Sequence, residues 1–223
     1  MQVNGVSPAT VARDFRIMKA VASYASKSDL LALLQKVALP RTMERSVRRI
    51  TDEQFDGLLW ACKPSNPRRT DNAFYMVPLL QLALATGMRQ GELCSLEWWM
   101  VDRTAGAITL PSAITKTAKQ RIIPITGRAE QALDDLQGLY GAKGKVLGDV
   151  TQTAVELAWK RIKYRSGITV RFHDLRHESI SRFFEMGCTI PEVMTISGHK
   201  TVAALDIYTH ANTSSLIARL KGV

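Results

Sequence analysis

The 223-residue chain has no apolar run near the ~20 residues that a membrane helix requires. Its N-terminus brings Arg13 and Asp14 soon after Thr10, where a secretory signal would need an unbroken apolar stretch. Both observations point to the cytoplasm or another compartment that holds nucleic acid, and against a membrane partner. Cysteine is scarce. Cys62, Cys94 and Cys188 lie far apart with no C-x-x-C spacing, which argues against zinc ligation and for three buried, reduced thiols. No carboxylate cluster suggests bound Mg²⁺, and no glycine-rich loop suggests ATP. Ser179, Ser181 and Ser197 lack the G-x-S-x-G context of a nucleophilic serine. Repeats and low-complexity tracts are also missing, and no cofactor or metal is expected.

Acidic residues are outnumbered, 20 against 30 Lys and Arg, which leaves a formal net charge of +10. Such an excess favours a polyanion partner, because each phosphate neutralised by Lys or Arg releases condensed counterions. Charge alone does not choose between DNA, RNA and an anionic membrane. The hydrophobic fraction of 46% is ordinary for a soluble globular protein and sufficient for a sizeable core.

Ser7-Pro8 reads as an N-cap followed by proline, opening a helix with Val11, Phe15, Met18 and Ala22 on one stripe. A second helix is predicted from about Asp29 to Val37. The segment Pro40–Ile50 holds Arg41, Arg45, Arg48 and Arg49 and reads either as a basic linker lying along a phosphate backbone or as a solvated turn. Thr51-x-x-Gln54 is a capping-box pattern, starting a helix that buries Phe55, Leu58 and Leu59. Phe74–Ala85 is apolar nearly all round and is predicted to be a central helix that Gly87 ends. Ala107–Leu110 and Arg121–Ile125 are strand candidates, with Lys116 and Lys119 on the turn between them. Helices are predicted over 128–139, 151–164, 173–186, 190–196 and 202–208, with a last one over 214–220. The fold class is therefore mainly α with a small antiparallel β-sheet (α+β).

The last third, with an upstream arginine, holds the chemistry. A phosphodiester under attack develops negative charge that fixed donors must meet, and arginine meets it with a planar, permanently charged fork. Arg89, just after Gly87, and Arg176 are the candidates, and Glu92 is spaced to pair with Arg89. His173 and Arg176 are spaced to share one helical face, so His173 can accept a proton from an attacking phenol. His177 is expected to face elsewhere and to be structural. Gly198 fits a left-handed helix end that would leave His199 exposed at the turn, as a donor to a phosphate oxygen. Tyr208 is the candidate nucleophile: a phenol titrating near pH ~10 needs a base or a cationic setting to attack at neutral pH.

In order, these segments are Thr86-Gly87-Met88-Arg89-Gln90-Gly91-Glu92-Leu93, Thr115-Lys116-Thr117, His173-Asp174-Leu175-Arg176-His177, Ser197-Gly198-His199 and Tyr208. The set resembles the tyrosine recombinases, the phage-integrase family, closely over roughly residues 50–223 and loosely before that. The resemblance implies catalytic roles for Arg89, Lys116, His173, Arg176, His199 and Tyr208, with Glu92 as a structural support. It makes Lys116 the general acid for the leaving 5′ oxygen, with Lys119 as its rival on the same turn. Lys119 and Arg121 join the linker arginines as expected DNA contacts. The domain division implied is 1–45, the end of a helical DNA-clamping domain plus basic linker, and 46–223, the catalytic domain. On that division the start of the clamp is missing, as in a shortened chain or a natural short member like the small fimbrial DNA invertases.

The resemblance thus implies a site-specific recombinase of phage or genomic-island type, cutting double-stranded DNA through a covalent 3′-phosphotyrosine. Alternatives are a small DNA invertase, a type IB topoisomerase and a non-catalytic DNA-binding regulator. It further implies a tetramer on paired sites, a monomer in free solution and accessory DNA-bending proteins. Leu216, Ile217 and Leu220 give the last helix an apolar side that must be buried on its own domain or on a neighbour.

Overall fold

A computed structural model describes residues 6–39, 48–63 and 74–209, with the side chain of Thr209 excepted. Arg41 and Arg45 lie outside the described residues, as does the helix expected over 214–220. The chain divides into two compact units, residues 1–45 and 46–223.

The first unit is a helical hairpin, α1 (Pro8–Tyr24) and α2 (Ser28–Lys36). Ser7 accepts a hydrogen bond from the backbone N–H of Thr10, and Pro8 occupies the first turn, where a missing N–H loses nothing. Buried apolar side chains among its described residues are confined to Ala12, Ala22 and Leu34. The expected α1 stripe is only partly covered: Ala22 is buried while Met18 is exposed.

The second unit begins with α3 (Asp52–Ala61), whose capping box forms between Thr51 and Gln54. α4 (Met76–Thr86) ends at Gly87, which is left-handed at φ 63°. A Cβ on Gly87 would also come within 3.0 Å of Ser179 Oγ, so both conformation and space call for glycine. α5 (Gln90–Cys94) follows, then the antiparallel sheet β1 (Val101–Asp102), β2 (Ala107–Leu110) and β3 (Arg121–Pro124), in that spatial order. Ile108 pairs with Ile123 and Leu110 with Arg121. The chain continues through α6 (Gly127–Tyr140), α7 (Gln152–Ser166), α8 (Phe172–Glu185), α9 (Ile190–Ser197) and α10 (Asp206–Thr209). The helix expected over 202–208 is instead a 3₁₀ turn at Val202–Ala204 followed by the four-residue α10.

α4 packs between α6 and α8, α3 packs on α7, and α9 lies against β3. The all-round apolarity of α4 has this cause: it is covered on several sides and buries Met76, Leu79, Leu80, Leu82, Ala83 and Leu84. A large core runs from Ile50 to Leu175, and a smaller cluster gathers Ile180, Phe183, Phe184, Val193, Leu205 and Tyr208. α8 contributes to both.

Candidate active site

Construction of the site starts at the N-terminus of α8. Asp174, fully buried, accepts from the backbone N–H of Arg171 at 2.8 Å and from the Arg171 guanidinium at 2.7 Å, satisfying a donor that the first helical turn leaves over. Burial opposes ionisation of Asp174, but these bonds prevail and hold its carboxyl below its ordinary value. Fixing this turn aims Arg176 inward, 3% exposed. Its guanidinium donates to Gly87 O and to Ser197 O, each at 2.5 Å. Those carbonyls stand at the C-terminal ends of α4 and α9, where helix dipoles leave partial negative charge. Burial, with Arg89 and Arg121 nearby, pushes Arg176 down to about 9, which leaves it cationic at neutral pH.

Arg89 stands at the entry to α5, half-buried, and is braced from behind. Glu92 accepts from the Arg89 backbone N–H at 2.7 Å and from its guanidinium at 3.0 Å. The same carboxylate takes two bonds from Arg121, at 2.8 and 2.6 Å. Arg121 spends its Nε–H on Ile196 O at 3.0 Å. Burial of Glu92 penalises its charge, yet the Arg121 bonds outweigh that and depress its pKa. Arg121 is thus corrected from an expected DNA contact to an internal strut: its side chain is 4% exposed, and each of its three nitrogens donates to an internal acceptor. A Cβ on Gly198, left-handed at φ 70°, would meet Arg121 Cδ at 3.1 Å. The strut therefore runs against the turn that carries His199.

Tyr208 comes to the same place from α10. Its ring is 2% exposed, and burial pushes its pKa up to about 12 against the pull of Arg176. Its hydroxyl meets His177 Nδ1 at 2.5 Å, with the two rings stacked at 5.7 Å. The expectation that His177 faces away as a structural residue is therefore wrong in its geometry. His173 packs edge-on against His177 at 4.9 Å and sits on the exposed side of the pair. His199 is half-buried rather than exposed; its Nδ1 pairs with Ser197 Oγ at 2.7 Å, and its ring lies 6.5 Å from that of Tyr208. Desolvation, reinforced by His177 and Arg176, pushes His173 down to about 4; desolvation with Arg176 and Arg89 does the same to His199. Both rings are neutral donor–acceptors at neutral pH.

Among the described contacts, the remaining expected residues make no hydrogen bond to Arg89, Arg176, His199 or Tyr208, although Lys119 shares a cleft with His199. Lys116 is exposed on the β2–β3 connection, whose bend is tied by Thr115 Oγ1 to Lys119 O at 2.8 Å. Lys119 lines a cleft of about 550 Å³ together with Thr117, His199 and Lys200. Arg49 is not a free phosphate contact either: it pairs with Glu178 at 2.7 Å and Glu185 at 2.6 Å, because the buried Glu178 carboxylate requires cationic partners. Arg48 donates to Thr169 O at 2.8 Å from an exposed position.

The model of the phage integrase family matches residues 48–215. The chain belongs to the phage integrase family. Among its relatives, a shufflon-specific DNA recombinase of Escherichia coli is 38% identical over 144 residues, covering 64% of this chain and 36% of that protein. Tyrosine recombinase XerC of Xanthomonas campestris is 32% identical over 147 residues, covering 62% of this chain and 45% of the relative. The chain thus spans less than half the length of these two relatives. In fold it is similar to the Tn1549 transposon integrase solved in complex with circular intermediate DNA, at a TM-score of 0.71 and 19% identity, over 97% of this chain and 80% of that one.

Within this phage-integrase domain, the sequence contained two signals that a motif reading passes over. Arg121 alternates with Ile123 on β3, and an i, i+2 pair shares one face of a strand, so the burial of Ile123 carries Arg121 inward. His173 and His177 are spaced i, i+4, which places them on one helix face.

Proposed function

We propose that this chain is the catalytic part of a site-specific DNA recombinase that cuts and rejoins strands through a 3′-phosphotyrosine. The observation that carries the reading is the buried Tyr208 hydroxyl inside a cluster of Arg176, His177 and His199, with the braced Arg89 beside Arg176 in the same electrostatic group. Arg89 and Arg176 take the nonbridging phosphate oxygens, and His199 adds a donor through the nitrogen that Ser197 leaves over. Tyr208 attacks phosphorus, and Lys116, or Lys119 on the same turn, protonates the departing 5′ oxygen. Arg48 and Lys119 serve the surrounding backbone. The DNA-bound Tn1549 integrase supports duplex DNA as the partner.

Exchange between two duplexes breaks four strands, so four nucleophiles are needed and a tetramer forms on paired sites from monomers in free solution, with accessory DNA-bending proteins shaping the sites. Integration or excision of a mobile element is the setting this reading favours. The test is a pool of nicked duplexes with a randomised core. The wild-type chain forms an SDS-resistant, protease-sensitive adduct with a subset of them, and Tyr208→Phe forms none. A wild-type chain that binds the pool but never becomes covalently attached overturns the enzymatic reading in favour of a DNA-binding regulator. Relaxation of supercoiled plasmid by single protomers points to the topoisomerase alternative.

A further inference from the structure

A buried phenol that keeps its proton up to about pH 12 attacks nothing until a base takes that proton. Two histidines flank Tyr208 and a third packs behind one of them, and they are not equivalent. His199 has its Nδ1 tied to Ser197 Oγ, and its ring centre is 6.5 Å from that of the tyrosine. His173 lies behind His177, edge-on at 4.9 Å, with no hydrogen bond to the phenol among the described contacts. His177 alone among the described residues meets the hydroxyl, Nδ1 to Oη at 2.5 Å. Its ring is stacked on the phenol with 30° between the planes, which holds the nitrogen in the hydroxyl's reach.

The geometry points to His177 as the catalytic residue that accepts the Tyr208 proton, a role deepening the recombinase reading and resting on it. His177 carries its own proton on Nε2 and receives the phenol proton on Nδ1. The phenolate oxygen then bonds to phosphorus while the bond from phosphorus to the 5′ oxygen breaks, and the lysine of the β2–β3 connection supplies the proton that the 5′ oxygen takes up. One ester is exchanged for another, with no oxidant or reductant. Religation runs the same path backwards, with His177 returning the proton to Tyr208. An imidazolium so close to Arg176 is unfavourable by itself, and the negative charge of the scissile phosphate offsets it. Proton transfer is thereby tied to the arrival of the phosphate it serves.

Two measurements on the full chain test this. In ¹⁵N-histidine spectra, the wild-type His177 Nδ1 reports a hydrogen-bonded acceptor, and Tyr208→Phe shifts that signal while leaving His173 in place. A His177 Nδ1 that carries the proton, or that ignores Tyr208→Phe, overturns the proposal. In single-turnover reactions on the nicked duplexes, His177→Gln keeps wild-type binding and melting temperature but slows adduct formation about 100-fold or more, the usual worth of a general base. His177→Ala is slowed likewise and is partly restored by added imidazole, which fills the space and takes the proton. Adducts at the wild-type rate from both variants overturn the base role alone. No adduct from the wild type overturns the recombinase reading and the base role with it, even if the spectra show the pairing.

Discussion

The large core and the small cluster of the 46–223 unit each hold one half of the site. Arg89 and Arg121 rest on the large core through α4, α5 and β3, and a buried carboxylate ties them to one another. Tyr208 is itself part of the small cluster, held by Leu205, Phe184, Val193 and their neighbours, on a helix of four residues. The arginine half is thus cross-braced by charge and backed by the large core. The tyrosine half is held by the small apolar cluster and by contacts that include the Tyr208–His177 hydrogen bond to α8. Pre-organised donors gain most from rigidity, since they must be in place before charge develops. A nucleophile that must attack, remain covalently attached and later withdraw gains from a shallower hold.

The largest way to break this comparison is at Arg176, which serves both halves. Arg176→Ala is expected to lower the adduct rate by about 100- to 1,000-fold, the scale of one lost transition-state donor. It also lowers the melting temperature, because the α4 and α9 carbonyls lose a common partner. Leu79→Ala, deep in the large core, is expected to cost about 2–5 kcal/mol of global stability, read from the urea midpoint. Val193→Ala in the small cluster removes less volume and acts locally. Hydrogen exchange should speed up around residues 202–209 by several-fold while α4 stays protected; uniform acceleration of both regions would erase the distinction.

The smallest effect is with pH. His173 and His199 titrate near 4 in the folded chain and near 6.5 when unfolded, so the unfolded chain binds more protons between those values. Stability therefore falls as pH drops from about 7 towards 4, and the depressed carboxyls of Glu92 and Asp174 steepen the loss once their unfolded values, 4.5 and 3.8, are reached. His199→Gln should flatten the upper part of that slope in urea titrations; an unchanged slope would show that the ring is not shielded as described.

The sequence was legible where a local rule decides. The capping box at Thr51, the strand pair 107–110 and 121–125, whose second member ends one residue earlier at Pro124, and the glycine ends at 87 and 198 all follow from neighbours within a few positions. It was opaque where distant partners decide. Arg121 became a strut because Glu92, 29 positions away, needed its charge balanced. Arg49, still partly exposed, is held to α8 because the buried Glu178 carboxylate needs its charge. The order of motifs brought Arg176 and Tyr208 to notice but could not say which histidine would touch the phenol, since that depends on how α10 lies against α8.

Arg176 couples more than the two halves of the site. Its two present partners are carbonyl oxygens that close the ends of two different helices, and on the proposed reading a phosphodiester shares that guanidinium with them. On the same reading, loading the site should be felt at Gly87 and at Ser197 together, as a change in the amide signals of both helix ends.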